Sequence, residues 1–177
     1  MTASSGSGPT IHGSAVLVGD RAVLIRGPSG AGKSRLAFDL ILAGRGGQIP
    51  PATLVGDDRL CLEPARDCLL VRPHPELEGL LEIRGLGIRR HAFVAEAPVG
   101  LVVDLDAPDA ERLPPPDALR TTLFGIELAR IPVAAAFSPL PVTLAALTTV
   151  PGCGHPRPAA DCPEEFDNHM NPAKATE

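Results

Sequence analysis

The sequence contains no tryptophan and no tyrosine, and only two of its sixteen basic residues are lysine, Lys33 and Lys174. This skew reads as the coding bias of a GC-rich genome rather than as a functional signal. Positive charge is short overall. The formal net charge is −5, which argues against a nucleic-acid binder, since such proteins normally carry a basic face. No apolar run reaches the length needed to span a membrane. Met1 to Gly8 has neither the basic nor the apolar segment of a secretory signal, and residues 1–9 are expected to form a flexible tail. The four cysteines follow no disulfide-framework spacing, so a reducing, cytoplasmic setting is expected. There is no internal repeat. A chain of 177 residues is most simply one domain with a core of real size.

Against so little lysine, the position of Lys33 stands out. Gly27-Pro28-Ser29-Gly30-Ala31-Gly32-Lys33-Ser34 fits G-x-x-x-x-G-K-[ST], the loop that cradles nucleotide phosphates. The motif needs a strand before it and a helix after it. Arg21 to Arg26 is a short apolar run of strand length. From Ser34 to Ala43 apolar residues recur at helical spacing, with Gly44 as the expected stop. The glycines let backbone N–H groups turn inward, and the helix N-terminus adds partial positive charge. Lys33 then suits the β- and γ-phosphates of ATP, and the Ser34 hydroxyl suits Mg²⁺.

The rest of the chain reads as a mixed α/β domain over residues 10–150. Ile11 to Val18 reads as a strand that turns at Gly19-Asp20 into the strand before the loop, so part of the sheet is antiparallel. His12 opens this hairpin, and a lone histidine there is more often structural or merely exposed than catalytic. Thr53 to Gly56 is a strand running into Asp57-Asp58-Arg59. Acids at a strand end soon after a phosphate loop are placed to hold metal or to accept a proton. Val99 to Asp106 is a rival strand, ending in Asp104 and Asp106, and spacing alone does not choose between the two. Leu60–Glu63 and Cys68–Arg72 read as short strands, with Cys61 and Cys68 as small core residues. Pro73 to Gly79 reads as a loop or one helical turn. From Leu80 to Ile88 the sequence reads as an edge strand with Glu82 and Arg84 on one face, and Gly85 and Gly87 allow an unusual backbone. The pair is either a solvated ion pair or is aimed into a phosphate site. Pro108 to Pro116 reads as a surface loop or a short helix, Ala118–Phe124 and Ile126–Val133 as strands turning at Gly125, and Pro139–Val150 as a helix with proline in its first turn or a final strand, the helix being preferred. Residues 151–177 are polar and proline-rich and are expected to be disordered or loosely packed. Cys153, His155, Cys162 and His169 in that tail fit no standard zinc spacing.

Taken together, His12-Gly13, the loop 27–34, Asp57-Asp58-Arg59 and Leu81-Glu82-Ile83-Arg84-Gly85-Leu86-Gly87-Ile88 resemble the HPr kinase/phosphorylase family. The last segment is similar to that family's own signature. The resemblance covers residues 10–150 and lies in what the family uses as its C-terminal catalytic domain, as in the short alphaproteobacterial forms. It implies a P-loop-containing mixed sheet with flanking helices, similar to the phosphoenolpyruvate carboxykinase nucleotide-binding core. It implies ATP- and Mg²⁺-dependent phosphorylation of a serine on the phosphocarrier HPr, with phosphorolysis as the reverse reaction, in regulation of a phosphotransferase system. Carried over, Gly27, Pro28, Ser29, Gly30, Ala31, Gly32, Lys33 and Ser34 bind ATP, and Ser34 and Glu82 hold Mg²⁺. Asp57 and Asp58 contain the base, with Asp57 the first choice, and His12 tunes the pair. Arg84 contacts phosphate, and Arg112 stands for the arginine of an Asp-Arg-Leu segment that here reads Glu-Arg-Leu. The resemblance decides against Asp104 and Asp106. It implies a homo-oligomer too. The segment after the signature is shortened to about residues 89–98, and a Pro-Val-x-Pro-Gly-Arg-Asn stretch and a long C-terminal helix have no counterpart. These departures weigh on the reverse reaction and the assembly more than on the kinase reaction. Two other functions fit the residues: a kinase for another protein or a small metabolite, and a non-catalytic ATP-sensing module.

Overall fold

The computed structural model describes residues 9–150. The tails expected before and after, with Cys153, His155, Cys162 and His169, lie outside the described residues. The fold is mixed α/β: a curled sheet with two helices on one face.

Strand β1 (Thr10–His12) pairs with β5 (Arg59–Ala65), whereas β2 (Ser14–Val18) pairs with β3 (Arg21–Arg26). The single strand expected from Ile11 to Val18 is therefore broken at Gly13. A Cβ there would lie 2.9 Å from the Ile25 carbonyl oxygen, so only glycine lets the chain leave one partner for another. The expected β2–β3 hairpin is present, with Ser14 opposite Ile25 and Val18 opposite Arg21. On the far side of β2 lies β4 (Ala52–Gly56), antiparallel to it. β5 continues through a turn into β6 (Cys68–Pro73). The nine-residue β9 (Ala97–Leu105) is the axis of the sheet: antiparallel to β6, and parallel to both β3 and β11 (Ile126–Val133). β10 (Arg120–Leu123) pairs with β11 through the turn expected at Gly125, whose φ is 81°.

Helix α1 (Lys33–Arg45) runs through the expected stop at Gly44 to the next residue. Gly44 serves a different need. A Cβ there would sit 2.7 Å from both the Cβ and the backbone N of Ala52, so the residue lets the helix lie close against the start of β4. The chain reverses instead at Gly47, where φ is 71°. Helix α2 (Pro139–Thr148) matches its expectation and packs beside α1.

Period-two alternation divides the core between the sheet faces. Val16, Val23, Ile25, Leu54, Val103 and Leu105 pack under α1 with Leu36, Leu40 and Ile41. Their sheet neighbours Ala15, Leu24, Val55 and Val102 point the other way, into the curl closed by Leu60 and Leu62 of β5 and Leu69 and Val71 of β6. The edge strand expected over Leu80–Ile88 is a separate hairpin, β7 (Leu80–Ile83) with β8 (Gly87–Arg90). Gly85 and Gly87, at φ 82° and 84°, fold the run back on itself. Leu81, 1% exposed, anchors it in the helix-side core.

At the end of β9, Asp104 is gripped by Arg26 through two hydrogen bonds of 2.7 Å and by Arg130 at 2.6 Å, and Arg130 also reaches Asp109. This network ties three parallel strands together. Burial pushes the Asp104 pKa up, but the hydrogen bonds from Arg26 and Arg130 outweigh it and hold the carboxyl below its ordinary range. A carboxylate lowered on folding adds stability above its unfolded pKa, about 3.9, and loses it as pH falls through the folded value. Asp104→Asn is expected to lower stability by about 2–4 kcal/mol at pH 7, because it strands the Arg26 guanidinium and leaves Arg130 with the Asp109 carboxylate alone, and the gap to wild type should close as pH falls below about 4; urea unfolding at both pH values tests this. Gly44→Ala should also destabilise, by about 1–3 kcal/mol, although helix propensity alone predicts a gain of about 1 kcal/mol. A raised melting temperature for Gly44→Ala would contradict the close helix–strand contact.

Candidate functional site

The loop 27–34 leaves β3 beside the end of β9. A Cβ at Gly27 would lie 2.9 Å from both the Cβ and the carbonyl oxygen of Leu105. Gly30 and Gly32 have φ of 82° and 97°, and Gly32 is the left-handed residue from which α1 starts. A Cβ at either would meet nothing within 4 Å, so these two are required by backbone conformation and not by space. The first turn of α1 has no side-chain cap and no acidic residue. Its free amides therefore face the loop with partial positive charge, the arrangement that binds phosphate. Lys33 is 6% exposed and folds over the loop, donating from Nζ to the Gly27 and Pro28 carbonyls at 2.9 and 2.8 Å. Burial lowers its pKa; Asp57, Asp58 and Asp106 act against that.

The acids sit across from the loop, in the turn from β4 to β5. Arg59 N donates to Asp57 O at 2.9 Å, and Asp58 takes a φ of 70°. Aspartate tolerates this left-handed backbone better than most residues. Asp57 is 5% exposed. Its Oδ1 accepts from Ser34 Oγ at 3.0 Å and from Ser14 Oγ at 2.5 Å, and its Oδ2 accepts from Glu82 N at 3.3 Å. Asp58 is open to solvent, and His12 lies on it: Nδ1 is 2.8 Å from the Asp58 carbonyl and 3.0 Å from its carboxylate.

The β7–β8 hairpin forms the third wall. Its base closes where His91 N donates to Gly79 O at 2.7 Å, and His91 stands edge-on to Phe38 of α1. Together these elements enclose a cleft of about 730 Å³ lined by His12, Ser29, Gly30, Gly32, Lys33, Ser34, Asp57, Asp58, Glu82 and Arg84, with Phe38, Leu77 and Ile88 as apolar wall. Ten of the residues singled out in the sequence thus share one cavity. Arg112 does not line it; it is exposed in the loop before β10. Asp104 belongs to the strand network described above. Ser14 gave no signal in the sequence, being one serine in an apolar strand, and only the fold brings it to Asp57.

The residues present fit Mg²⁺ with ATP. Ser34 Oγ and Asp57 are hard oxygen donors joined by a hydrogen bond, and Glu82, whose backbone N–H donates to Asp57, adds a carboxylate to the cleft lining. Among the described residues no three His, Cys, Asp or Glu side chains form a metal cluster. Mg²⁺ does not need one, since it takes one or two protein ligands and completes its shell with phosphate and water.

The model of the HPr serine kinase C-terminal domain matches residues 6–133. The chain belongs to this family. It is 33% identical over 123 residues to the HPr kinase/phosphorylase of Mycoplasma mycoides subsp. mycoides, which covers 63% of this chain and 37% of that protein. It is 37% identical over 110 residues to the HPr kinase/phosphorylase of Geobacillus thermodenitrificans, 58% of this chain and 33% of that one. The chain thus spans about a third of the length of these relatives. The solved structure of the Hpr(Ser) kinase/phosphatase from Coxiella burnetii superposes with a TM-score of 0.60 at 28% identity, covering 78% of this chain and 93% of that one. The family's mixed sheet with few helices is the fold described above.

Gly27→Ala tests the loop. The added methyl must displace Leu105 or the loop backbone. ATP affinity, read by a fluorescent nucleotide, should fall by at least about tenfold, roughly 1.4 kcal/mol, while the far-UV spectrum stays native. Unchanged affinity would mean that nucleotide binds elsewhere.

Proposed function

We propose that this chain is a kinase domain that transfers the γ-phosphoryl group of ATP to a serine of the phosphocarrier HPr, in a cytoplasmic phosphotransferase system. The observation that carries the reading is the meeting of Lys33, Ser34 and Asp57 in one cleft whose hairpin wall, joined to Asp57 through Glu82 N, carries Glu82 and Arg84. Family membership supports it, since the relatives are HPr kinases.

In this reading the loop amides and Lys33 hold the triphosphate, and Arg84 contacts it from the hairpin. Ser34 and Glu82 would hold Mg²⁺, which supplies positive charge against the phosphates. The incoming serine oxygen forms a bond to the γ-phosphorus as the bond to the β-bridging oxygen breaks, and ADP leaves. The serine proton passes to the acidic pair. Asp57 is the acceptor of choice because it lies against Ser34, where the γ-phosphoryl group would sit. His12 fixes Asp58 beside it. With a loose transition state, position matters more than basicity.

The rim favours a protein acceptor over a small metabolite. β8 is exposed along its whole length, and Leu86 and Ile88 are 58% and 67% exposed. Arg84, Arg89 and Arg90 have no ion pair among the described residues. Such a lip suits a surface pressed over the cleft. We read the scaffold as similar to the phosphoenolpyruvate carboxykinase nucleotide-binding core, so the fold alone does not set the acceptor.

The double substitution Asp57→Asn/Asp58→Asn should reduce transfer to HPr by about 10²–10⁴-fold, the usual worth of a positioned base, while ATP still binds. Transfer at a near-normal rate by the double variant would defeat the assignment of the acids.

A further inference from the structure

We infer that Ser14 is a positioning residue for phosphoryl transfer: it fixes the Asp57 carboxylate in the orientation that serves Ser34 and the metal site. The inference rests on the kinase reading above but names a residue which that reading does not use.

Along β2, Ser14, Val16 and Val18 share the sheet face that lies under α1. Val16 and Val18 are buried there among leucines and isoleucines. Ser14 is also fully buried, at 0% exposure, at a position where the pattern calls for an apolar side chain. A buried hydroxyl is costly unless it is hydrogen-bonded. Ser14 resolves that by donating to Asp57 Oδ1 at 2.5 Å.

The three donors on Asp57 come from three elements, and they differ in permanence. Ser34 sits at the start of α1 and turns its oxygen to the metal in the proposed reaction. Glu82 N, at 3.3 Å, belongs to a hairpin outside the main sheet. Only Ser14 is on a strand flanked by partners on both edges, β3 and β4. It is therefore the fixed point that keeps the carboxylate aimed while the other two contacts change. Ser14 does not line the cleft, so it acts through Asp57 and touches neither nucleotide nor acceptor.

The test compares Ser14→Ala, which removes the hydroxyl, with Ser14→Thr, which keeps it. Nucleotide binding is titrated with Mg²⁺, transfer to HPr is measured as kcat and KM, and thermal unfolding is recorded. For Ser14→Ala the Mg²⁺ needed for half-maximal nucleotide binding should rise by about tenfold, and kcat should fall by about 10–10²-fold with KM for HPr unchanged. Metal-free nucleotide binding should stay at the wild-type level, and Ser14→Thr should restore most of both losses. Wild-type Mg²⁺ dependence and kcat in Ser14→Ala would overturn the inference. So would a loss of metal-free binding in parallel with melting temperature, or a Ser14→Thr variant as impaired as Ser14→Ala. If the wild type binds nucleotide with Mg²⁺ but labels no serine of HPr, the acceptor reading alone fails, and the Mg²⁺ titration still decides the role of Ser14.

Discussion

One carboxylate joins the parts of this structure that bear on chemistry. Asp57 is almost completely buried, and it accepts hydrogen bonds from β2, from the first turn of α1 and from the β7–β8 hairpin. A buried anion is tolerable only when its lone pairs are filled, so these three elements cannot drift apart without leaving it stranded. The glycine-rich loop 27–34, the acidic turn and the hairpin are distant in sequence. Their common dependence on one side chain is what makes them a single cleft.

The sheet supplies the rigid frame for that carboxylate. β3 and β4 flank β2 and both run antiparallel to it, so the loop leaving β3 and the turn leaving β4 open at the same end of the sheet, with only β2 between them. β9 runs parallel to β3 and brings Leu105 against Gly27, which pins the loop at its base. Asp104 at the end of β9, held by Arg26 and Arg130, locks the same region from outside the cleft. Glycine matters where elements approach within contact distance, as at Gly27 and Gly44, and where the backbone must take a left-handed turn, as at Gly32. The two requirements are distinct, and they predict different outcomes on substitution.

Much of this was legible in the chain because the signals are local. The glycine-rich loop 27–34, its flanking strand and helix, the β2–β3 and β10–β11 hairpins and α2 each carry their own periodicity and turn residues. Gly44 misled because a glycine near a helix end reads as a stop, and only the approach of Ala52 shows why it is there. The break at Gly13 was hidden for a similar reason, since β1 leaves for β5, a partner remote in sequence. The reversal at Gly85 is local, because β7 pairs with β8 directly after it, and Gly85 and Gly87 were its signal. Asp57 and Asp58 could be separated from Asp104 only by resemblance, since both strands end in acids. The fold supplies a physical ground: two arginines consume Asp104, whereas Asp57 faces Ser34. Ser14 was invisible, because a small polar residue in an apolar strand has no signature until its partner is known.

The central claim is that this cleft moves a phosphoryl group from ATP to a protein serine. The most direct measurement is mass spectrometry of purified HPr after incubation with this protein, ATP and Mg²⁺. The account predicts one phosphoryl group on one serine, absent when Mg²⁺ is withheld. HPr recovered without phosphoserine, under conditions where the protein binds ATP, would contradict it.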